Sequence, residues 1–345
     1  MIKRAVIAAF IVTLSVWAWR RLDFIPIDVI GQPASTGFIQ SKIEAPFFER
    51  LAQDTGLPLR VRYRPLEMVG YKDTHQLAIL NEGKADLVSL RFAQNSAAMP
   101  ELMGVDLGGL NLDLQQGRLL VSAYSGVIDQ KLQERFDSKL LSIWPFGPQV
   151  MLCRKPIKSL RDIAGLKVRI AGSLLDPLIS ALDAIPVVTA FDDVAEGLRL
   201  GIFDCAISSS ASANFAGWPK HSTHYYPITL QLGLNGYAIR LAVWNYLSAA
   251  QQGVLLEAFQ KHAESIWTYA QMAHVEASSC NTGGPCTLGD SYDLIKVEPS
   301  GEDIDLVKKI MKDVVFKQWA SICDRVSENC SKDFLERLDF IFSRD

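Results

Sequence analysis

The 345-residue chain has no block of basic residues and no stripe in which arginines alternate with aromatic side chains. Its 35 lysines and arginines are mixed along the chain with 38 aspartates and glutamates, and the net charge is −3. Because nucleic acids are bound through clustered positive charge, this pattern argues against a nucleic-acid partner. The length and the 49% of hydrophobic residues allow two domains of ordinary size with buried cores.

Long apolar runs are also scarce, and the exception lies at the N-terminus. After a basic start that includes Lys3-Arg4, residues 5–19 are apolar except for two hydroxyl side chains. This run is shorter than the roughly 20 residues that span a bilayer, and with its basic start it is typical of a secretory signal. Arg20-Arg21 directly after the run leave an uncleaved membrane tether as the alternative. Either way, we expect an exported, periplasmic protein.

Six cysteines agree with export, because disulfides persist outside the cytoplasm. Two pairs lie close together in the sequence: Cys280 with Cys286, and Cys323 with Cys330. They predict two short-range disulfides, with a four-cysteine zinc site as the alternative, although neither pair has the two-residue gap of zinc knuckles. Cys153 and Cys205 lie in apolar strand contexts and are expected to be buried thiols.

Strand and helix signals follow the same order in two parts of the chain. In the first part, strands are predicted at Ile25–Gly31, 59–65 and 85–90, and helices at 38–54 and 73–81 separate them. This βαβαβ order implies a parallel sheet with right-handed crossovers.

The second part begins with a helical turn that Ser159 caps, and continues with a strand that carries Arg169. Ser173 is expected to cap a helix to about Asp183, and a strand, a helix and the strand "FDCAI" follow. The pattern Leu-x-x-Gly-x-x-Asp occurs in both parts at identical offsets: Leu80, Gly83 and Asp86, then Leu198, Gly201 and Asp204. The repeat predicts two α/β lobes of similar construction.

One loop follows the third strand in each part: Ser89–Asn95 in the first and Ser208–Phe215 in the second. Ligands of such sheets bind outside the carboxyl ends of the strands, so facing lobes would place both loops across a common cleft. A capping box at Ser248 starts a helix at 249–278 that is long enough to lie across both lobes. A last amphipathic helix, 301–325, is expected to bury one apolar face: Ile304, Val307, Met311, Val314 and Ile322.

The stretches "KPIKSLRDIAGLKVRIAGS" (155–173) and "LRLGIFDCAISS" (198–209) resemble the solute receptors of tripartite ATP-independent periplasmic (TRAP) transporters, the DctP-type family. "LNEGKADLV" and "IWPFGPQVMLCRKPI" fit the same family, and the resemblance covers about residues 25–325. It implies a two-lobed periplasmic-binding-protein-like fold, with parallel-rich sheets flanked by helices and a long helix spanning both lobes. The expected division is lobe I at 22–150 and about 235–250, lobe II at 151–234, the spanning helix at 249–278, and a C-terminal helical segment at 279–345.

The resemblance implies reversible capture of a small organic anion, mostly a carboxylate, and its delivery to an ion-gradient-driven membrane permease, with no cofactor and no enzymatic turnover. The family's ligand-pairing arginine falls on Arg169, and a guanidinium meets a carboxylate through two parallel hydrogen bonds. A structural ion pair of Arg169 with Asp176 or Asp204 is the alternative. Ile207 to Ser210 stand where many members carry an amide or acidic residue, which leaves the identity of the substrate open.

Other candidate ligand contacts come from the loops at the strand ends and from the crossover between the lobes. They are Ser208, Ser209, Ser210, Ser212, Asn214, Gln149, Trp144, Arg91, Phe92, Gln94, and Thr36 with Gly37; Tyr71, Trp218 and Asn235 are weaker ones. Each has a structural alternative, such as a cap, a turn or a packing role.

A ligand-sensing binding protein read by a signalling partner is a second interpretation. A hydrolase is a third, because Cys205 or a serine at 208–210 could serve as nucleophile if a histidine lay nearby. Neither lies in a Gly-x-Ser-x-Gly elbow. His221 and His224 have metal-like spacing, but no carboxylate or cysteine is adjacent, so no metal site is expected.

Overall fold

The computed structural model describes residues 24–342, with side chains described up to residue 337. The expected signal or tether at 1–21 lies outside the described residues. In the described part, no helix is long and apolar enough to cross a membrane.

Two β-sheets form the two lobes. The first sheet contains β1 (Ile25–Gly31), β2 (Leu59–Pro65), β3 (Leu87–Arg91), β4 (Ser138–Pro145) and β10 (Leu234–Arg240). The second contains β5 (Gln149–Cys153), β6 (Lys167–Ile170), β7 (Ile185–Val188), β8 (Cys205–Ser209), β9 (His224–Gln231) and β11 (Ile295–Lys296). The strand orders are β2-β1-β3-β10-β4 and β11-β9-β5-β8-β6-β7.

The two sheets share one topology. Three parallel strands form one side of each, β2-β1-β3 in lobe I and β7-β6-β8 in lobe II, as the βαβαβ pattern predicts. An antiparallel strand lies next to the third parallel strand in each sheet: β10 beside β3 in lobe I, and β5 beside β8 in lobe II. Each of these strands enters its sheet directly after the chain has crossed from the other lobe. The sheets are therefore mixed, and their parallel halves end at the cleft.

Helices cover both sheets and continue into the C-terminal segment. They are α1 (Ala45–Thr55), α2 (Gln76–Asn81), α3 (Phe92–Asn95), α4 (Glu101–Gly104), α5 (Leu114–Phe136), α6 (Asp176–Ser180), α7 (Val194–Leu200), α8 (Ser210–Phe215), α9 (Leu241–Trp244), α10 (Ala249–Asn281), α11 (Gly301–Ile310), α12 (Phe316–Val326) and α13 (Cys330–Phe342). π-helical turns at Ile39–Glu44 and Met311–Val315 lead into α1 and α12.

The long helix α10 links the lobes as expected. Ser248 and Gln251 form its capping box, and its 33 residues extend about 50 Å at 1.5 Å per residue. It packs on β4 of lobe I and on α8 of lobe II. Its buried Phe259 helps to form the lobe I core with Phe48 of α1 and Val29 of β1.

The Leu-x-x-Gly-x-x-Asp repeat has the same structural role in both lobes. Gly83 and Gly201 end a helix with φ of 67° and 72°, left-handed values that favour glycine. The carboxylates of Asp86 and Asp204 then accept a hydrogen bond from a main-chain N–H of β1 and of β6, at 2.9 and 3.0 Å. The repeat thus ties the third of the three parallel strands in each lobe to the first.

The chain passes between the lobes at two neighbouring crossovers. The N–H of Gly147 donates to the Leu232 carbonyl at 3.1 Å, so the crossovers are bonded to each other. The buried carboxylate of Asp106 accepts the N–H groups of Leu232 and Leu234, at 2.8 and 2.9 Å. Burial raises the pKa of Asp106 to about 7 in spite of these hydrogen bonds. The Asp106 side chain therefore bonds to both ends of the second crossover, at Leu232 and Leu234.

Two predictions about helices are wrong. Gly172, not Ser173, is the N-cap of the segment after β6, and a 3₁₀ turn at Ser173–Leu175 leads into the five-residue helix α6. The predicted helix from Ser173 to about Asp183 is thus replaced by this turn and the short α6. Ile322 is 44% exposed, because the π-turn before α12 shifts the buried face to Trp319 and Cys323.

The expected disulfides are present, and the cysteines also form a third. Cys280 bonds to Cys286 and Cys323 to Cys330, as the spacing predicts, which excludes a zinc site made from these four thiolates. The prediction of buried thiols at Cys153 and Cys205 is wrong, since they form a disulfide. They lie directly opposite each other in the antiparallel pair of β5 and β8, with Cα atoms 4.0 Å apart.

Replacing both Cys153 and Cys205 with alanine is expected to lower the free energy of unfolding by about 2–4 kcal/mol, because the bond closes a long loop. The sequence separation is 52 residues, against 6 for Cys280 and Cys286, whose double alanine variant should lose less. Urea unfolding of both variants measures the difference. Alkylation of two thiols in the exported protein before reduction would contradict the third disulfide.

Candidate functional site

The lobes contact each other where the parallel strands end. A Cβ placed on Gly172, after β6, would lie 3.5 Å from the carbonyl oxygen of Ala93, after β3. Further along the cleft, Phe38 of lobe I packs edge-on against Phe215 of lobe II, with ring centroids 5.9 Å apart. A gap of about 10 Å³ remains beside this pair. The cleft is therefore closed.

Arg169 is the most deeply buried cation of the cleft, with 2% of the residue exposed. Its Nε and Nη2 donate to the carbonyl of Thr189, at 3.0 and 2.7 Å, and its Nη1 donates to the carbonyl of Ile207 at 3.0 Å. A guanidinium has five N–H groups, so one on each terminal nitrogen remains for another acceptor. Arg169, on the predicted strand, thus has two guanidinium N–H groups that remain free to donate to another acceptor.

Among the side chains that the structure describes, residues 24–337, no carboxylate forms an ion pair with Arg169. Asp204 pairs with Lys155 at 2.8 Å, and Asp176 accepts a hydrogen bond from Ser180. The alternative of a structural ion pair with either aspartate therefore finds no support in the geometry. Burial, and secondarily the charge of Arg91, lower the pKa of Arg169 to about 9, so it stays charged at neutral pH.

Arg91 is the second cation of the cleft and the last residue of β3. Its Nη1 donates to Asp73 at 2.8 Å, while its Nε is buried with no partner among the described residues. Its guanidinium lies 5.9 Å from the ring centroid of Phe146 in the crossover. Burial lowers the pKa of Arg91, and the charges of Asp73 and of Asp192, a lobe II residue, oppose this shift.

The three consecutive serines have different surroundings. Ser208 is 6% exposed, and its hydroxyl has no hydrogen bond to the described part of the chain. Ser209 is the N-cap of α8 and accepts the N–H of Ser212 at 3.2 Å. Ser210 is fully buried, and its hydroxyl lies 2.6 Å from the Tyr225 hydroxyl. Ser208 is thus the serine whose hydroxyl the protein leaves available.

A serine and a histidine do meet, but in a structural setting. The Ser210 hydroxyl lies 3.1 Å from Nδ1 of His274, and burial lowers the pKa of this histidine to about 4. Ser210 has no exposed surface, and the Tyr225 hydroxyl also bonds to Ser278 of α10. This cluster joins α8, β9 and α10. Cys205 is held in a disulfide and is not a nucleophile in this structure.

Asn214 is used entirely within the protein. Its Nδ2 donates to Asn281 at 2.7 Å and to the Asp290 carbonyl at 2.8 Å, and its Oδ1 accepts the N–H of Asp290 at 3.0 Å. These bonds fix α8 to the end of α10. The geometry therefore gives Asn214 a structural role in the closed form.

The crossover candidates pack or turn back on the chain. Trp144 is fully buried in the lobe I core, with ring centroids 5.3 Å from Phe146 and 5.9 Å from Tyr237. Gln149 donates to the carbonyl of Gly147 at 2.8 Å. The described contacts thus place Trp144 in the lobe I core and Gln149 at the crossover.

The remaining lobe I candidates differ in exposure. Phe92 is 1% exposed in the core, and Gln94 is half-buried. Thr36 donates to the Pro33 carbonyl at 2.6 Å, and its own carbonyl lies 3.5 Å from the hydroxyl of Ser212 across the cleft. Thr36 therefore contributes to contact between the lobes.

Three weaker candidates are also located. Trp218 is fully buried beneath Arg169, 5.4 Å from the guanidinium to the ring centroid, and its Nε1 has no described partner. Asn235 donates to the Gly233 carbonyl, and Tyr71 lies beside Lys84. His221 and His224 join no metal-binding cluster, since no three His, Cys, Asp or Glu side chains converge in the described part.

Several groups of the site were missed at the level of sequence. The carbonyls of Thr189 and Ile207 hold Arg169, and main-chain groups have no signature in the residue type. Asp73 was predicted only as the start of a helix. That helix leads back to the strand that ends at Arg91, so the sequence spacing is compatible with a contact between Asp73 and Arg91.

The comparisons with known proteins agree with this architecture. The family model "Bacterial extracellular solute-binding protein, family 7", DctP, matches residues 31–280. A solute-binding protein of Sulfitobacter sp. strain NAS-14.1 is 24% identical over 54% of this chain and 57% of its own length. The C4-dicarboxylate-binding periplasmic protein DctP of Rhodobacter capsulatus is 27% identical over 46% of this chain and 48% of its own length. The matched part of this chain thus spans about half the length of these relatives.

A TRAP periplasmic solute-binding protein of Rhodoferax ferrireducens, solved with bound malonate, has the same fold. The TM-score is 0.78 at 15% identity, and the match covers 92% of this chain and 99% of that structure. At this identity the likeness concerns the fold, whereas the family model covers most of the sequence. The chain belongs to family 7 of the bacterial extracellular solute-binding proteins, the DctP family.

Proposed function

We propose that this chain is a TRAP-type solute receptor that binds a small organic carboxylate between its lobes and delivers it to a membrane permease. The observation that carries the proposal is the Arg169 fork, which is buried in the cleft, held by main-chain carbonyls and left with two donors. Burying a cation is unfavourable unless it is paired and hydrogen-bonded. A ligand carboxylate would supply both the charge and the two acceptors.

The relatives support the same ligand class. The Rhodobacter capsulatus relative is a C4-dicarboxylate-binding protein, and the Rhodoferax ferrireducens structure holds malonate. Other structures of this fold hold pyroglutamate or β-D-glucuronate. All of these ligands carry a carboxylate, which fits the geometry at Arg169.

Release and capture require the lobes to separate, and we assign this motion to the crossovers. The proposed units are lobe I, residues 22–150 with about 235–250, and lobe II, residues 151–234. Gly147 and Gly233 have φ of 111° and 65°, and glycine adopts such values without steric cost. Because α10 also joins the lobes, it would have to bend or slide as they separate. The receptor would work in the periplasm, with residues 1–21 as export signal or tether.

A thermal-shift screen tests the ligand class. We expect small carboxylates, including sugar acids and keto acids, to raise the melting temperature, whereas the matched amides leave it unchanged. A ligand at 100 times its Kd contributes about 2.7 kcal/mol, which corresponds to a shift of several degrees. Stabilisation by neutral sugars or cations alone would contradict the proposal, and chemical conversion of a stabilising acid would favour an enzyme.

A further inference from the structure

The sides of the two lobes that are remote from the cleft can be compared position by position, because the same repeat builds both. The aspartate of the Leu-x-x-Gly-x-x-Asp repeat bonds to the main chain of Asp28 in lobe I and of Lys167 in lobe II. Lys167 thus occupies the position of Asp28. The strand registers then place Ile185 of β7 at the position of Arg62 of β2, an exposed arginine that is ion-paired with Asp28.

Three exposed aliphatic side chains of lobe II stand where lobe I carries exposed charges. Leu200 and Ile202 flank the glycine of the repeat, at the positions of Glu82 and Lys84 in lobe I. Glu82 and Lys84 form an ion pair with each other. Leu200, Ile202 and Ile185 are each between 49% and 58% exposed. The difference between the lobes is therefore a surface in lobe II that has exchanged charged groups for apolar ones.

These three side chains, the aliphatic cluster, lie at one end of the lobe II sheet. The strands β7, β6 and β8 are neighbours, and adjacent strands lie about 4.8 Å apart. Ile185 begins β7, Lys167 begins β6, and Ile202 lies shortly before the start of β8. Exposed apolar groups that polar residues surround mark sites of contact with a protein or a membrane.

Cations outnumber acids around the aliphatic cluster. The segment from the end of β5 to the start of β6 carries five cations: Arg154, Lys155, Lys158, Arg161 and Lys167. Three acids lie at the same end of the sheet: Asp162, Asp183 and Asp204. Among the side chains of residues 24–337, Lys155 alone of the five cations forms an ion pair, with Asp204 at 2.8 Å. This end of lobe II therefore carries an excess of positive charge beside exposed aliphatic groups.

We propose that this end of lobe II is a contact surface for an anionic lipid bilayer. The aliphatic cluster would enter the headgroup region, and the surrounding lysines and arginines would meet lipid phosphates. Apolar side chains among lysines and arginines are the composition of interfacial membrane-binding surfaces. The contact would concentrate the receptor at the membrane, and it does not depend on which solute the cleft binds.

The composition favours a bilayer over a protein partner. Protein interfaces are enriched in aromatic residues, methionine and arginine and depleted in lysine. Here three of the five cations are lysines, and the exposed apolar side chains are aliphatic. A second copy of the chain on a two-fold axis would bring the same excess of positive charge together, which is unfavourable.

Sedimentation with lipid vesicles tests the proposal. Residues 22–345 contain every described helix and strand, and their use prevents the apolar run at 5–19 from binding lipid itself. The protein should bind vesicles of phosphatidylcholine and phosphatidylglycerol, at about three to one, at least about 10-fold more tightly than phosphatidylcholine alone. Binding should weaken as salt is raised, because salt screens the attraction between the cations and the lipid phosphates.

A reciprocal exchange between the lobes separates the aliphatic cluster from its charges. Leu200→Glu with Ile202→Lys installs the lobe I ion pair at constant net charge, and should weaken vesicle binding about 10-fold or more. The reverse exchange, Glu82→Leu with Lys84→Ile, is the matched control. It should change binding by less than about 3-fold, because in lobe I these positions lie among paired charges.

Removing cations tests the electrostatic part of the contact. Lys158→Gln with Lys167→Gln should weaken binding to the anionic vesicles about 10- to 30-fold, since each cation near an anionic surface contributes about a factor of five. Binding to phosphatidylcholine alone should stay the same within about 3-fold. Melting curves show that each variant is folded as the wild type is.

Each contrary outcome overturns the bilayer contact. Failure of the wild-type protein to bind anionic vesicles does so, as does undiminished binding by the Leu200→Glu, Ile202→Lys variant. A 10-fold gain from the reverse exchange would show that any exposed aliphatic pair binds these vesicles. A dimer in sedimentation velocity that this variant dissociates would assign the aliphatic cluster to a second copy. None of these results bears on carboxylate binding at Arg169, which the thermal-shift screen tests separately.

Discussion

Replacing Arg169 with alanine is expected to weaken binding of the carboxylate ligand by about 30-fold to several thousand-fold. Truncating one side of a buried charge pair costs about 2–5 kcal/mol, much of it because the other charge stays desolvated and unpaired. Arg169→Lys should also lose affinity, since a single ammonium cannot reproduce the two parallel hydrogen bonds of the guanidinium. Calorimetric titration of both variants with the best acid from the thermal-shift screen measures the effect.

The ligand-free stability of the same variants tests the alternative, a purely structural arginine. Arg169 donates to two main-chain carbonyls, so its removal should lower the free energy of unfolding by about 1–3 kcal/mol while the protein stays folded. Arg161→Ala, at an exposed arginine of the same lobe, is the control and should change neither quantity. Unchanged affinity in Arg169→Ala would disprove that Arg169 binds the ligand carboxylate. Complete loss of folding would indicate that the arginine is needed to hold lobe II together.

The local signals in the sequence were sufficient for most of the fold. β1 and β6 lie where alternation and flanking glycines predict them, and the capping boxes at Ser159 and Ser248 form as expected. These features depend on residues within one or two turns of each other. The Leu-x-x-Gly-x-x-Asp repeat also acts locally at its helix ends, which is why a weak repeat predicted two lobes of the same construction.

The features that were missed depend on contacts between distant parts of the chain. β10 and β5 enter their sheets from across the crossovers, and no local pattern specifies which neighbours they will take. The disulfide of Cys153 with Cys205 follows from that pairing, because the two residues become neighbours only when β5 lies beside β8. The π-turn at Met311–Val315 changes the buried face of a helix whose amphipathic pattern is continuous in the sequence.

The strand that carries Arg169 was predicted more accurately than the contacts of the candidate side chains. Arg169 lies at the cleft, because a strand and its end can be located from sequence. The side chains of the three serines point in different directions because α8 begins among them. Ser208 still belongs to the strand, Ser209 is the N-cap of α8, and the Ser210 side chain turns toward Tyr225. Side-chain direction at the start of a short helix is decided by tertiary packing, which the spacing of three serines does not encode.

Trp144→Ala is expected to have the largest effect on stability of the substitutions proposed. It tests whether Trp144 packs in the core or binds the ligand. The side chain is fully buried among Phe146, Tyr237 and the rest of the lobe I core, and its Nε1 has no partner in the described structure. Trp144→Ala is expected to lower the free energy of unfolding by about 3–5 kcal/mol, because it leaves a large cavity that the surrounding rings fill only in part. Met68→Ala, at a side chain that is 72% exposed, should change it by less than about 0.5 kcal/mol.

Trp144→Phe decides whether the indole N–H is reserved for the ligand. Phenylalanine keeps most of the ring packing and removes a buried donor that lacks an acceptor, so the loss of stability should be well below that of alanine. Because the indole packs into the lobe I core, affinity for the ligand should stay within about 3-fold of wild type. Urea unfolding and calorimetric titration of the phenylalanine variant give the two quantities. A loss of affinity of 10-fold or more at unchanged stability would place Trp144 in the binding site and contradict the packing role.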